Sequence, residues 1–274
     1  MRHRDAPPAA GGEPIVKSPS PPLRRATAVL VVAMLTAGVA GCAASKPGAP
    51  SPNIGATMST TLPDWAQSLT LTDEYGKPQT LAALHGKIVV LTDILTLCQD
   101  MCPLVTANLR RADLALTHAG LADRVQFVEV TVDPKRDTPA RLHAYRAVAQ
   151  LLPNFTLLTG APADLERLGQ LFGYNSQITA EGSPPAIDWL TGKPLTYDVS
   201  HGDVLVFLDA AGRERFVIAG GANTGGQPVA PKLQTFLSDD GKQNITHPDA
   251  SSWTTGDVLA ALSWMVGKKI KPAS

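Results

Sequence analysis

The sequence is short of several things. It has no excess of either charge: 24 Lys plus Arg balance 24 Asp plus Glu. Aromatic residues make up only 5% of the chain. Nothing therefore marks a nucleic-acid-binding surface, which needs a basic face. No internal repeat is visible, so the 274 residues correspond to one or two domains. No apolar run is long enough to cross a membrane comfortably. The longest, ATAVLVVAMLTAGVAG at residues 26–41, is too short and too rich in small residues. There are three cysteines, an odd number that leaves one unpaired in any scheme of internal disulfides.

The N-terminal region explains the odd cysteine. Residues 1–23 are rich in Pro, Ala, Gly and Ser without apolar periodicity and read as disordered. Arg24 and Arg25 precede the apolar run, and small residues close it. That order is the order of a secretory signal peptide. The run ends in VAGC at 39–42, which resembles a bacterial lipobox, whose cysteine becomes the lipidated first residue of the mature protein. Cys42 is then a lipid anchor, and residues 1–41 are a leader plus signal peptide. Residues 42–62 are the lipidated cysteine and a flexible tether of Ala, Ser, Pro, Gly and Thr. An anchored protein of this kind sits on the outer face of the cytoplasmic membrane, where thiols meet an oxidising environment.

From residue 63 to 270 the pattern is that of an ordered domain. Residues 68–84 read as two short strands around a Tyr75-Gly76-Lys77-Pro78 turn, an N-terminal hairpin. Residues 85–94 lead into a buried strand through the run Ile88, Val89, Val90, Leu91. LCQDMCP follows at 97–103, then a helix whose first turn suits Pro103. Strands over 125–133 and 154–160 alternate with a helix capped by Thr138 and a helix ended by Gly173. A hairpin over 203–220 and a final helix from a Thr254–Asp257 capping box to Val266 complete the chain. This alternation implies an α/β domain with a mixed central sheet. A buried strand followed by cysteines at a helix start is the thioredoxin-like arrangement. Two stretches, 175–200 and 221–253, have no clear pattern and are long for loops in a compact domain.

Cys98 and Cys102 at a helix N-terminus are thiolate-prone, because the positive end of the helix lowers a thiol's pKa. A thiolate is both nucleophile and metal ligand, so two chemistries stay open. The i, i+4 spacing turns both sulfurs to one side of a helical turn. It suits a metal clasp and still permits a disulfide. Soft thiolates select copper(I), zinc or iron–sulfur, and two ligands are too few for a closed zinc site. Among the histidines, His3 lies in the leader, His85 in a surface turn and His118 at a helix end. His143 falls on a solvated helix face and His247 in a polar loop. His201 stands at the mouth of the buried strand DVLVFLD, where an α/β sheet places its site.

Three segments, in this order, resemble the Sco/SenC family: CxxxCP at Cys98–Pro103, VTVDPKRDTP at 130–139, and VSHGDVLVFLDAAGR at 199–213. The resemblance spans roughly residues 65–220 and the final helix, and implies a thioredoxin-like fold with insertions. It implies copper, Cu(I) or Cu(II), held by Cys98, Cys102 and His201. It also implies a metallochaperone that supplies the binuclear copper site of cytochrome c oxidase, or keeps that site's cysteines reduced. The partners would be the copper-centre subunit of the oxidase or another cuproprotein, and the membrane through the lipid anchor. The chain departs from the pattern at Thr96-Leu97, where the family often carries an aromatic residue or His, and at Gln99, where it has Pro. The stretch at 221–253 is foreign to the pattern; it covers the site, docks a partner, or is a surface loop. Asp133 and Asp137 read as turn residues that could orient the cysteine loop. The competing reading is a thiol–disulfide oxidoreductase working through Cys98 and Cys102. A peroxidase lacks its single-cysteine pattern here, and a purely structural disulfide is the plainest alternative.

Overall fold

The computed structural model describes residues 46–273. The expected leader, His3 and Cys42 lie outside these residues. No helix among the described residues is long and apolar enough to cross a membrane.

The chain begins with β1 (Ala56–Thr61), α1 (Asp64–Ser68), β2 (Leu71–Asp73), β3 (Pro78–Gln79) and β4 (Ile88–Ile94). Next come α2 (Cys102–His118), β5 (Val125–Thr131), α3 (Pro139–Val148), β6 (Phe155–Thr159) and α4 (Pro162–Phe172). A hairpin of β7 (Ser176–Thr179) and β8 (Asp198–His201) leads to β9 (Val204–Leu208) and β10 (Arg213–Ala219). The chain closes with β11 (Ala222–Asn223), α5 (Pro231–Gln234), α6 (Asp239–Thr246), β12 (Trp253–Thr254) and α7 (Thr255–Val266).

Eight strands form one sheet in the order β1-β10-β9-β4-β5-β6-β2-β3. The central β4, β5 and β6 are parallel, and their neighbours β9 and β2 run antiparallel to them. The sheet is therefore mixed, as expected, and the fold is thioredoxin-like. Both faces are covered, so β4 and β5 are buried throughout and read as near-continuous apolar runs. Ile88, Val90 and Ile94 pack on the face with α2, α3 and α7. Val89 and Leu91 pack on the face with α4.

The local stops and starts follow the sequence. Thr138 accepts the Arg141 N–H at the start of α3, Gly173 is left-handed at the end of α4, and Thr254 and Asp257 form a reciprocal capping box.

The tether ends earlier than expected. Residues 56–61 are not a flexible linker but the edge strand β1, antiparallel to β10. All six side chains of β1 are exposed, so the strand pairs through its backbone alone and carries no apolar alternation to announce it. Gly55 makes the approach possible, because a Cβ there would lie 2.2 Å from the Val217 carbonyl oxygen.

One core residue breaks the apolar pattern. Glu129, in the middle of β5, is completely buried beside α2. One carboxylate oxygen accepts from Thr106 Oγ1 at 3.1 Å and the other has no partner. Burial pushes its pKa up to about 8 against the opposing Thr106 bond. The folded chain thus holds a proton that the unfolded chain releases above about pH 4.5, and stability falls as pH rises through about 8. Glu129→Gln is expected to remove much of this decline, as read by denaturant midpoints at about pH 5 and about pH 9, which bracket most of the window between the unfolded and folded pKa values. An unchanged pH slope would contradict the assignment.

Candidate metal centre

The cysteine loop leaves the C-terminal end of β4, where the sheet order reverses direction between β5 and β9. The Cys98 N–H closes a turn on the Leu95 carbonyl at 3.0 Å. Cys102 then opens α2, with Pro103 in its first turn. The backbone N–H of Cys102 has no intrahelical acceptor and donates instead to Cys98 Sγ at 3.4 Å. Cys102 is buried and Cys98 half-buried, and neither is in a disulfide. His201 arrives from the other direction, as the last residue of β8. Its Nε2 lies 3.4 Å from Cys102 Sγ. The three donor atoms of Cys98, Cys102 and His201 all fall within 4.8 Å of one another. The two cysteines and the histidine singled out in the sequence are thus brought together across 99 residues of chain.

The opposite edge of the imidazole is held by a group the sequence reading missed. His201 Nδ1 is 2.5 Å from Asp93 Oδ2. Asp93 sits in β4, is buried, and also accepts the Val204 N–H at 3.4 Å. A proton on Nδ1 shared with this carboxylate leaves Nε2 turned toward the sulfurs. Asp93 gave no spacing signal, because it lies inside a run that reads simply as buried strand. A carboxylate in such a run was itself the only available sign.

The electrostatics divide the two thiols. The hydrogen bond from Cys102 lowers the Cys98 pKa well below its ordinary value; burial opposes this and His201 reinforces it. Cys102 moves the other way, pushed well up by the Cys98 sulfur and by burial. Burial disfavours the charged form of His201, but the Asp93 bond and Cys98 outweigh it and raise its pKa to about 11. The site therefore favours negative charge on Cys98 and positive charge on His201, and disfavours ionisation of Cys102. A metal bound by all three side chains would have to displace the proton of Cys102 and one from His201. Burial, with Asp93 second, raises Asp203 to about 7 at the edge of the site.

The SCO1/SenC family model matches residues 58–238, about two thirds of the chain. The chain belongs to the SCO1/SenC family. A candidate copper-binding protein of Stutzerimonas stutzeri is 33% identical over 105 residues, which are 38% of this chain and 50% of that relative. The match thus spans half the length of that relative. Among solved structures, Arabidopsis thaliana ScoI with copper bound is 26% identical, covering 62% of this chain and 89% of that one at a TM-score of 0.45. A SCO1/SenC family lipoprotein from Bacillus anthracis is 24% identical, covering 66% of this chain and 98% of that one at a TM-score of 0.48.

In this SCO1/SenC chain the DPKRDTP segment ties together the two segments that carry the donors. Asp137 is buried beneath the cysteine loop. It accepts from the Thr96 N–H at 3.1 Å, from Thr96 Oγ1, and from Thr131 Oγ1 at 2.7 Å. Asp133 accepts from Tyr197 OH at 3.1 Å and pairs with Arg136, which donates to the Tyr197 carbonyl at 2.7 Å. Tyr197 stands four residues before His201. One turn thus positions Cys98 through Thr96 and His201 through Tyr197, and neither aspartate is among the three donors.

The two unpatterned stretches are also part of this frame. Trp189, from the β7–β8 connection, donates to the Thr96 carbonyl at 2.7 Å and stacks on Phe236 from the later stretch at 5.7 Å. Gln99, which stands where the family has Pro, donates to the Ile187 carbonyl at 2.9 Å. Its own carbonyl accepts the Ser238 N–H at 3.0 Å. Gly241 passes so close that a Cβ would lie 2.3 Å from that same carbonyl. The Ala222 N–H points at Met101 Sδ, 3.0 Å away. Residues 221–253 are therefore packed on the cysteine loop and are not a detached surface loop.

The remaining histidines among the described residues stand apart from the site. His85 meets Gln67 at 3.1 Å, His143 lies edge-on to Tyr75, His247 meets Thr246 at 2.9 Å, and His118 ends α2.

Asp93→Asn is expected to weaken metal binding about 10–100-fold, the usual effect of losing a ligand's hydrogen-bonded carboxylate. A competition titration checks this. An unchanged affinity would mean that Asp93 does not orient His201.

Proposed function

We propose that the chain is a copper carrier that holds one copper ion as cargo on Cys98, Cys102 and His201. The observation that carries this reading is the convergence of two sulfurs and one imidazole nitrogen, with Asp93 behind the imidazole. Two thiolates favour Cu(I), and the imidazole makes Cu(II) acceptable. Cys98 is half-buried at the loop surface and is the thiol whose ionised form the site favours, so it is the natural point of first contact with an incoming ion. The neutral Cys102 and the protonated His201 then close on the metal as their protons leave. An ion held by three donors on a partly exposed loop can also be passed on.

The finer reading follows the family. Lipidation at Cys42 would hold the domain on the outer face of the cytoplasmic membrane. The acceptor would be the binuclear copper site of cytochrome c oxidase or another cuproprotein. To test this, the copper-loaded chain is mixed with the metal-free copper-centre domain of the oxidase, and the absorption of the binuclear centre is followed. Growth of that absorption with the wild type, and its loss with His201→Ala, is the expected result. Copper that stays on the donor after prolonged mixing would refute the oxidase as acceptor.

A second reading rests on the division of the two thiols. A Cys98 thiolate next to a protonated partner is equipped to attack a disulfide. It would form a mixed disulfide, which Cys102 resolves, leaving the client reduced and the Cys98–Cys102 pair oxidised. Such exchange needs neither metal nor the imidazole as a ligand. Turnover of a disulfide substrate that is indifferent to copper would favour it.

A further inference from the structure

Away from the metal centre, the first and last described segments meet on α7. Lys46 and Pro50 from the first, and Lys269 and Ile270 from the last, line one cleft of about 510 Å³ with Leu259 and Ala260 of that helix. Residues 46–50, expected as free tether, are thus laid against the domain. The last segment is fixed as well. Gly267 ends α7 in the left-handed region, and the Ile270 N–H donates to Ser263 Oγ at 2.9 Å. The Ile270 side chain is buried, which turns its neighbours Lys269 and Lys271 outward, and Lys268 is exposed beside them.

The charge on this face has one sign. Residues 46–63 and 258–273 contain no Asp or Glu, and they carry Lys46, Lys268, Lys269 and Lys271. Asp257, just before the second stretch, is engaged in its capping box, with its Oδ2 2.8 Å from the Thr254 N–H. Among the described residues none of these lysines pairs with a carboxylate, whereas Lys242 does, with Asp239 at 3.0 Å. Cys42 stands four residues before Lys46. A lipid on it would therefore lie within about 14 Å of extended chain from Lys46.

We propose that the face bearing Lys46, Lys268, Lys269 and Lys271 lies against an anionic phospholipid surface. The proposal rests on the anchoring at Cys42 and adds which side of the domain meets the membrane. A lipid chain and a basic patch are two signals that hold a protein to a membrane jointly. Each lysine kept near an anionic surface strengthens the attraction about 5-fold. Because residues 46–50 are packed on the domain, the anchor reaches it beside these lysines and not at the end of a long free tether.

The full chain is purified in detergent and mixed with vesicles of phosphatidylglycerol or of phosphatidylcholine. Brief acetylation followed by mass spectrometry then reads each lysine. The expected result is labelling of Lys46, Lys268, Lys269 and Lys271 that falls several-fold on phosphatidylglycerol relative to detergent and stays near the detergent level on phosphatidylcholine. The exposed Lys193 and Lys242 should label alike throughout. About 1 M salt, which screens charge beyond about 3 Å, should restore labelling of the four. Lys268→Gln, Lys269→Gln and Lys271→Gln together change only exposed side chains and should abolish the protection of Lys46 on phosphatidylglycerol. The intact mass reports separately whether Cys42 carries lipid. Protection without that lipid would sink the anchor and leave the face standing, and lipid without protection would do the reverse. Labelling unchanged on phosphatidylglycerol, lowered equally on both lipids, or still low at Lys46 in the triple variant would overturn the proposal.

Discussion

Cys98→Ala is expected to abolish tight Cu(I) binding. The loss should exceed the roughly 10–100-fold that removal of a ligand's hydrogen-bonded partner costs. Cys98 is the donor whose ionised form the site favours, and its sulfur also takes up the free N–H of Cys102. Removing it strands that N–H and removes a soft ligand, losses that outweigh the easier ionisation of Cys102 once the Cys98 sulfur no longer pushes its pKa up. His201→Ala should do less, because two thiolates still favour Cu(I). The ordering Cys98→Ala worse than His201→Ala can be read by competition with a chromophoric chelator in the absence of oxygen. An order reversed, with His201 dominating, would place copper elsewhere than on the sulfur pair.

The second large effect concerns a residue that touches no donor. Asp137→Ala is expected to destabilise the fold by about 3–5 kcal/mol, because it leaves buried Thr96 and Thr131 donors without their acceptor. Such a loss corresponds to a fall in melting temperature on the order of 10 °C for a domain of this size. Asp137→Asn keeps one acceptor oxygen and should cost less. Burial raises the Asp137 pKa to about 6 in spite of the Thr96 and Thr131 bonds. Its folded pKa lies above the unfolded value, so the wild type loses stability as pH rises through about 6. Asp137→Asn should flatten that part of the pH profile. Melting curves at pH 5 and pH 7.5 (about a unit or more to either side) make the comparison. Equal stability of wild type and Asp137→Ala would remove Asp137 from the frame of the cysteine loop.

These two residues show where the sequence was legible. Cys98 and Cys102 mark the candidate site in the sequence, because paired thiols at a strand-to-helix junction point to metal binding or disulfide chemistry. His201 was legible through its place at the mouth of a buried strand. The central sheet was readable for the same reason, since strands buried on both faces spell out apolar runs. Asp93 was not readable, because its role depends on His201 arriving from 108 residues away. The work of Asp133 and Asp137 was visible only as turn chemistry, and which segments they hold depends on tertiary approach. β1 escaped because a fully exposed edge strand needs no apolar side chains. Residues 221–253 escaped because their anchors are single contacts, such as Ser238 and Gly241 on Gln99, with no periodicity among them.

The central claim is that one copper ion sits on Cys98, Cys102 and His201. X-ray absorption spectroscopy of the chain loaded anaerobically with one equivalent of Cu(I) tests it most directly. The account predicts a first shell of two sulfurs and one imidazole nitrogen, with the nitrogen lost in His201→Ala and one sulfur lost in Cys98→Ala. A shell without sulfur, or one that both substitutions leave unchanged, would contradict it.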